Sequence, residues 1–326
     1  MNFNKEDLIL GIDIGYSACK CILLHKDGTT IKKFKFPSYI GVTKSNIEGV
    51  QNDKIYHYDE NHYFVGEDAR HLPSANLVEI SEYKNLEYYA PLFIYHAMKL
   101  AGILNIGVAK LVTGLSIAQI QNSGYFQEAI SHYVVDGVEF KNDVLLLPQG
   151  AGIKLAYDKF GSKYPEVQKE FLGEANYVIA DIGFNTVDLL LIASGKTDPN
   201  LFEGIEKSGV MRIAAQMAKI INEKHQRQIT LQEAREILDT GVYKLRGTKH
   251  NYEPEVQNLK DEFLKEILKL INERYGHIID KVDFLVIGGG GSYLFSNSSD
   301  GFIRVLEQDS EYYNAIGEAL YGLHNS

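Results

Sequence analysis

The chain is short of the features that would place it outside the cell or in a membrane. It has two cysteines in 326 residues. These, Cys19 and Cys21, are one residue apart: too few for a zinc site and too close for an ordinary disulfide. On a strand they would point the same way, as buried thiols. No apolar stretch is long enough to span a bilayer, and the run Met1-Asn2-Phe3-Asn4-Lys5-Glu6-Asp7 lacks the basic-then-apolar order of a signal peptide. A cytoplasmic location is the default expectation. Positive charge is also scarce: 33 Lys and Arg stand against 43 Asp and Glu, a formal charge of −10. Direct grip on nucleic-acid phosphates is therefore not expected, and contact with DNA would need an adaptor protein. The ten histidines show no His-Glu-x-x-His or comparable spacing, so no protein-ligated transition metal is expected, and Gly-x-Ser-x-Gly is absent. A 45% apolar content is enough for sizeable cores, and the length suits two domains.

What the chain does have is an internal repeat. Leu8-Ile9-Leu10-Gly11-Ile12-Asp13-Ile14-Gly15 and Tyr177-Val178-Ile179-Ala180-Asp181-Ile182-Gly183 are each an apolar strand ending in Asp, one residue, then Gly. Both continue through a tight turn into a second strand, Tyr16 to Leu24 and Phe184 to Leu191. A repeat of this kind bears on architecture as well as on a site. Each copy puts a carboxylate at a strand end and a run of backbone N–H groups in the turn behind it. Two such hairpins facing each other would hold a polyphosphate and its magnesium ion, Asp13 and Asp181 binding the metal through its water shell. The N–H groups of Gly15, Tyr16, Ser17 and Ala18, and of Gly183, Phe184, Asn185 and Thr186, would serve as anion donors, with Lys20 as a point charge. The competing reading is two ordinary hairpins with Asp-Gly turns.

Between the copies, a third strand is predicted at Thr30 to Phe36, and a small, partly exposed insertion from Pro37 to about residue 90. Helical spacing covers Leu92 to Leu104, a strand Lys110 to Gly114, a helix Tyr125 to Val134 and a strand Asp143 to Leu147. Pro148-Gln149-Gly150-Ala151-Gly152 marks a domain boundary leading into a helix, giving a first domain 1–150, with a C-terminal helix in 308–326 packing back on it, and a second domain 151–307. Two helices, Val210 to Lys224 and Val256 to Tyr275, fall in a small subdomain of about 211–275. A strand Val282 to Ile287 runs into Gly288-Gly289-Gly290-Gly291-Ser292, and a short helix covers Ala315 to Leu323.

The glycine run suggests close backbone approach to something flat or anionic. It does not make a dinucleotide fingerprint, because the third glycine of Gly-x-Gly-x-x-Gly would fall at Tyr293. A loop that stacks on a nucleoside, through Gly288, Gly289, Gly290 and Ser292, fits better. Gln149, where a strand meets a helix, is placed either to orient a water for in-line attack on a γ-phosphate or merely to hydrogen-bond backbone. Ser194-Gly195-Lys196-Thr197 ends like a P-loop, but the first glycine would fall at Leu190 and Asp198-Pro199 stops a following helix. It reads as a surface turn.

Taken in order, these stretches resemble the actin, sugar-kinase and heat-shock-chaperone ATPase superfamily. Gly11 to Lys20 is similar to its first phosphate motif, Leu147 to Gly152 to the first connecting hinge, and Ala180 to Asp188 to the second phosphate motif. Val286 to Ser292 resembles the adenosine motif and Asn314 to Ala319 the second hinge. Length, insertion and the run Glu203 to Val210 look most like prokaryotic actins of the plasmid-segregation (ParM-type) and archaeal actin-like group. The resemblance implies an α/β fold of duplicated ribonuclease H-like (actin-like ATPase) domains, four subdomains around a central nucleotide cleft. It also implies ATP or GTP with Mg2+, and filaments controlled by nucleotide. By carry-over, Asp13 and Asp181 hold the metal's waters, Gln149 positions the attacking water, Lys20 touches phosphate, Asp188 belongs to the second phosphate motif, and Gly288 to Gly290 approach the adenosine.

The chain also departs from that pattern. Many segregation actins carry Glu rather than Gln at the hinge. A seventy-kilodalton chaperone needs a separate substrate domain, and a 2-hydroxyacyl dehydratase activator needs cluster-binding cysteines. A small-molecule kinase of the same fold needs a general-base Asp, for which Asp136 and Asp143 qualify by position only. A non-filamentous binding protein, such as a division adaptor, would usually end in an amphipathic helix, which Tyr321 to Ser326 does not form.

Overall fold

The computed structural model describes residues 3–43, 52–70, 72–73, 76–160, 173–299, 301–306 and 308–325. The first apolar run forms β1 (Leu8–Ile14), every residue of which is buried. The chain returns antiparallel through β2 (Ala18–His25) and β3 (Thr30–Pro37). Four short strands, β4 (Ile40–Thr43), β5 (Tyr56–Tyr58), β6 (Asn61–Val65) and β7 (Leu77–Val78), then make a separate sheet of order β5-β6-β4-β7 inside the segment read as an insertion. After α1 (Glu67–Arg70) and α2 (Tyr83–Ala101) come β8 (Lys110–Leu115), α3 (Ser123–Ser131), the hairpin β9 (His132–Val135) and β10 (Val138–Lys141), β11 (Val144–Pro148) and α4 (Ala151–Phe160). Strands β8 and β11 extend β1 in parallel, so the main sheet has the order β11-β8-β1-β2-β3.

The second copy repeats this plan. Strands β12 (Tyr177–Ile182), β13 (Thr186–Ala193) and β14 (Lys196–Glu206) form an antiparallel meander. Helices α5 (Met211–His225) and α6 (Leu231–Thr240), the hairpin β15 (Val242–Leu245) and β16 (Thr248–Asn251), and α7 (Glu253–Ile279) follow. Then β17 (Phe284–Gly288) and β18 (Ile303–Val305) join β12 in parallel, giving β14-β13-β12-β17-β18, and α8 (Tyr313–His324) ends the chain. Strand for strand the two orders are the same, as the repeat led one to expect.

The chain divides into two compact units, Met1–Lys169 with Glu311–Ser326, and Glu170–Ser310. Helix α4 therefore belongs to the first unit, where the sequence reading had opened the second domain at 151. The reason lies in its packing. Helices α4 and α8 cross so closely that a Cβ on Gly317 would lie 1.9 Å from the Gly152 carbonyl oxygen. Ala315, Ala319 and Leu320 of α8 then cover Ile9, Ile22, Leu24, Val112 and Leu147 of the sheet. In the second unit, α5 and α7 lay Ile213, Met217, Ile221, Phe263, Ile267 and Ile271 on Val178, Ala180, Val187, Leu189 and Leu285.

Three local expectations change. Helix α2 begins at Tyr83 rather than Leu92, because it runs through Pro91, and Leu86, Tyr89 and Ala90 ahead of that proline are all buried. Its last turn closes on Gly102 at φ +76°, which takes Gly102 N–H to the Lys99 carbonyl and Ile103 N–H to that of Met98. The helix expected to reach Val134 stops at Ser131, since Asp136-Gly137, both at positive φ, turn the β9–β10 hairpin. Helix α6 was not expected, although Thr230 and Glu233 form a capping box at its start. Ser194-Gly195 is a two-residue turn between β13 and β14, as read, and Cys19 and Cys21 are buried free thiols.

Two outcomes follow from the packing. Gly317→Ala must push α8 off α4, and should lower unfolding free energy in denaturant titration by about 3 kcal/mol. His96 of α2 is buried against the Tyr56 hydroxyl at 2.7 Å, and burial lowers its pKa from 6.5 to about 4. Below pH 6.5 the unfolded chain takes up a proton that the folded chain refuses, so stability should fall between pH 6.5 and 4 by about 3 kcal/mol. In His96→Gln that part of the acid slope should vanish.

Candidate functional site

In the first unit, register places Asp13 of β1 opposite Lys20 of β2. The Lys20 ammonium donates to Asp13 Oδ2 at 3.0 Å, and Gln149 Nε2 donates to Asp13 Oδ1 at 3.0 Å. Both charges are largely buried, with side-chain exposures of 12% for Lys20 and 6% for Asp13. Burial works against the ammonium, but the attraction and hydrogen bond of Asp13 outweigh it, and the Lys20 pKa rises. Gln149 follows β11 directly. Its N–H reaches the Leu115 carbonyl, and Gly150 N–H is held by Asn314 Oδ1 of α8 at 3.0 Å.

The turn between β1 and β2 is oriented by Ser38. Its hydroxyl donates to the Gly15 carbonyl at 2.5 Å and its N–H to that of Ser17 at 3.0 Å. In a trans peptide the carbonyl and the next N–H point opposite ways. The N–H groups of Tyr16 and Ala18 therefore face away from Ser38. The Tyr16 side chain is buried, which leaves its backbone as the part available to a ligand.

The second turn achieves the same result by different means. The carbonyls of Gly183, Phe184 and Asn185 accept from the N–H groups of Val210, Met211 and Gly209, just ahead of and at the start of α5. By the same geometry, three successive N–H groups, on Phe184, Asn185 and Thr186, point away from that helix. Gly183 N–H itself closes the turn on the Thr186 carbonyl. Here register pairs Asp181 with Asp188, so a carboxylate stands where the first copy has Lys20. Both are buried, Asp188 accepts from the Thr186 hydroxyl at 3.3 Å, and the Asn185 side-chain oxygen is buried without a hydrogen-bond partner among the described residues. Every polar side-chain donor to a cation in this set is oxygen, which fits a hard ion such as Mg2+.

The glycine run lies beside this second carboxylate. Gly288 ends β17 in register with Asp181, and Gly289, at φ +80°, sits where a Cβ would come within 2.2 Å of Asp181 Oδ1. The Gly290 carbonyl accepts from Arg235 of α6 at 3.1 Å. Ser292 is fully buried and its hydroxyl turns to the Leu306 carbonyl, so its side chain faces inward. Thus Asp13, Lys20 and Gln149 meet in one unit, and Asp181, Asp188 and Gly288 to Gly290 in the other. Sequence reasoning missed Ser38 and Arg235, and named Asn314 only as the start of the second hinge. Ser38 acts on backbone far off in sequence and leaves no local signal, while Arg235 lies in a helix whose capping box was readable.

Residues 11–152 match the family described as actin-like proteins, N-terminal domain, and residues 179–299 the archaeal actin homologue MreB-like, C-terminal. The chain belongs to the actin-like proteins. Among solved structures, the archaeal actin homologue Ta0583 matches with a TM-score of 0.73 at 19% identity, over 98% of this chain and 100% of that one. A ParM from a 15-stranded Clostridium botulinum filament matches at 0.74 and 19%, over 98% and 99%. Bacillus thuringiensis ParM with ATP matches at 0.64 and 15%, over 98% and 99%. These likenesses carry the actin-like fold. No curated protein matches the chain in sequence.

The Asp13–Lys20 pair generates a test within the actin-like framework. Lys20→Met leaves a buried carboxylate with Gln149 alone and should cost about 3 kcal/mol of unfolding free energy. Adding Asp13→Asn should return part of that loss, which a double-mutant cycle by denaturant titration would measure.

Proposed function

We propose that this actin-like protein is a nucleoside triphosphatase that binds ATP, or GTP, with Mg2+, and assembles into filaments under nucleotide control. The observation that carries the reading is the pair of matched hairpins, each ending an inner strand in a buried carboxylate with outward-facing N–H groups in the following turn. Ta0583 with ADP and ParM with ATP among the structural neighbours support it, as does a ParM filament. On this reading the two hairpins serve one triphosphate. The N–H groups of the Gly15–Ala18 and Gly183–Thr186 turns, with Lys20, would hold phosphate oxygens. Asp181, with Asp13, would hold the metal through its waters, Asp188 standing beside them, and bound Mg2+ would supply charge neutralisation on the phosphates. Gln149, fixed by Asp13, would orient the attacking water, and the Gly288–Gly290 loop would take the nucleoside.

The cellular task proposed is segregation of plasmid or other DNA, or positioning of another cargo, in the cytoplasm. The net charge of −10 favours a DNA-binding adaptor over direct contact. The kinase alternative's candidate bases both have partners within their own unit. Asp136 is held by His57 N–H and the Tyr95 hydroxyl, and Asp143 by Lys110.

Sedimentation with Mg-ATP, Mg-GTP or no nucleotide, run beside phosphate release, tests the reading. Wild type should pellet only with a triphosphate, and Asp181→Ala should stay in the supernatant. Gln149→Ala should pellet yet release phosphate at least about tenfold more slowly. Wild-type protein that neither pellets nor releases phosphate across nucleotides and salt concentrations would overturn it.

A further inference from the structure

We propose that Arg235 is a positioning residue that locks the glycine loop to helix α6, so that the loop is preset for the nucleoside end of the ligand. The inference rests on the nucleotide reading above and concerns a residue that the sequence motifs do not include.

Consider how the loop is held. The Gly289 carbonyl accepts from Ser292 N–H at 3.1 Å and from the Ser310 hydroxyl at 3.3 Å. Gly291 N–H donates to the Ile182 carbonyl at 2.7 Å. Arg235 Nη2 donates to the Gly290 carbonyl at 3.1 Å. The peptide joining Gly290 to Gly291 is therefore fixed at both ends, by the sheet through its N–H and by α6 through its carbonyl. Four consecutive glycines have many conformations to lose, so each such tie matters more here than in an ordinary loop.

The chemistry of Arg235 separates positioning from anion binding. Its Nε donates to Asp239 Oδ2 at 3.1 Å, and Nη2 lies 3.0 Å from Asp239 Oδ1. This bidentate pair on one turn of α6 meets the guanidinium charge, and the side chain is only 16% exposed. The second Nη2 hydrogen is directed at a backbone carbonyl. Helix α6 is itself fixed, by its capping box and by Ala234, Ile237 and Leu238 buried in the core of the unit. Arg235 thus carries the placement of the helical layer to the loop beside Asp181. Loss of the tie should weaken what the glycine loop recognises and spare what the hairpins recognise.

Isothermal titration of wild type, Arg235→Ala and Arg235→Lys with Mg-ATP and with Mg-tripolyphosphate reads this directly. Arg235→Ala should bind Mg-ATP about tenfold more weakly and tripolyphosphate within about twofold of wild type. Arg235→Lys, which keeps one donor, should recover part of the ATP affinity. Equal weakening of both ligands, or an unchanged ATP affinity, would overturn the proposal. If the alanine variant does not fold, the lysine variant decides by the same split between the two ligands. Wild-type protein that binds neither ligand would overturn the nucleotide reading and this inference with it. Wild type binding both, with no split in either variant, would remove the inference alone.

Discussion

A carboxylate buried at the end of an inner strand is the constraint on which each half of this protein is arranged. Removing such a charge from water is costly unless a partner compensates. The first unit provides compensation internally, with Lys20 across the strand pair and Gln149 from the end of β11. The second unit, in the same register, sets Asp188 where Lys20 would stand. One frame, used twice, thus gives two chemically different ends: a carboxylate facing a lysine in one unit and a carboxylate facing a carboxylate in the other.

The backbone of both turns obeys a second constraint. A turn can present N–H groups to an anion only if its carbonyls are satisfied on the other side. Ser38 does this in the first copy, using hydroxyl and amide together. In the second copy the residues opening α5 do it, Gly209 packed so close to Gly183 and Phe184 that a Cβ would meet their carbonyls at 2.5 Å. The two solutions share no residue type, yet both free a run of peptide N–H groups beside the carboxylate. On the proposed reading, such prearrangement would leave little reorganisation for polyphosphate binding.

Much of this was legible because it is local. Strand, Asp, Gly and turn are contiguous, so both hairpins could be read, as could helices α5 and α7 and the glycine loop after β17. Other features were hidden because they are set by partners distant in sequence. Nothing near Ser38 tells that its hydroxyl faces Gly15, and nothing near Ser292 tells that it turns inward to Leu306. The apolar spacing was read only from Leu92, whereas α2 starts at Tyr83, because burial of Leu86, Tyr89 and Ala90 outweighs the hydrogen bond that Pro91 cannot make. The assignment of α4 to the first unit depended on how close Gly152 and Gly317 allow two helices to come, which no pattern in either segment states.

The outer edges of the two main sheets bear on how copies of this protein can meet. Edge strand β3 exposes Lys32, Lys33 and Lys35, and edge strand β14 exposes Lys196, Asp198 and Pro199. Lysines, and a proline without an N–H, discourage a further strand from adding to these edges. A net charge of −10 opposes close approach as well, over a range that shortens with salt. Association of copies through these two edge strands, β3 and β14, is therefore disfavoured. On the proposed reading, a nucleotide would change assembly only through its differential affinity for two arrangements of the chain.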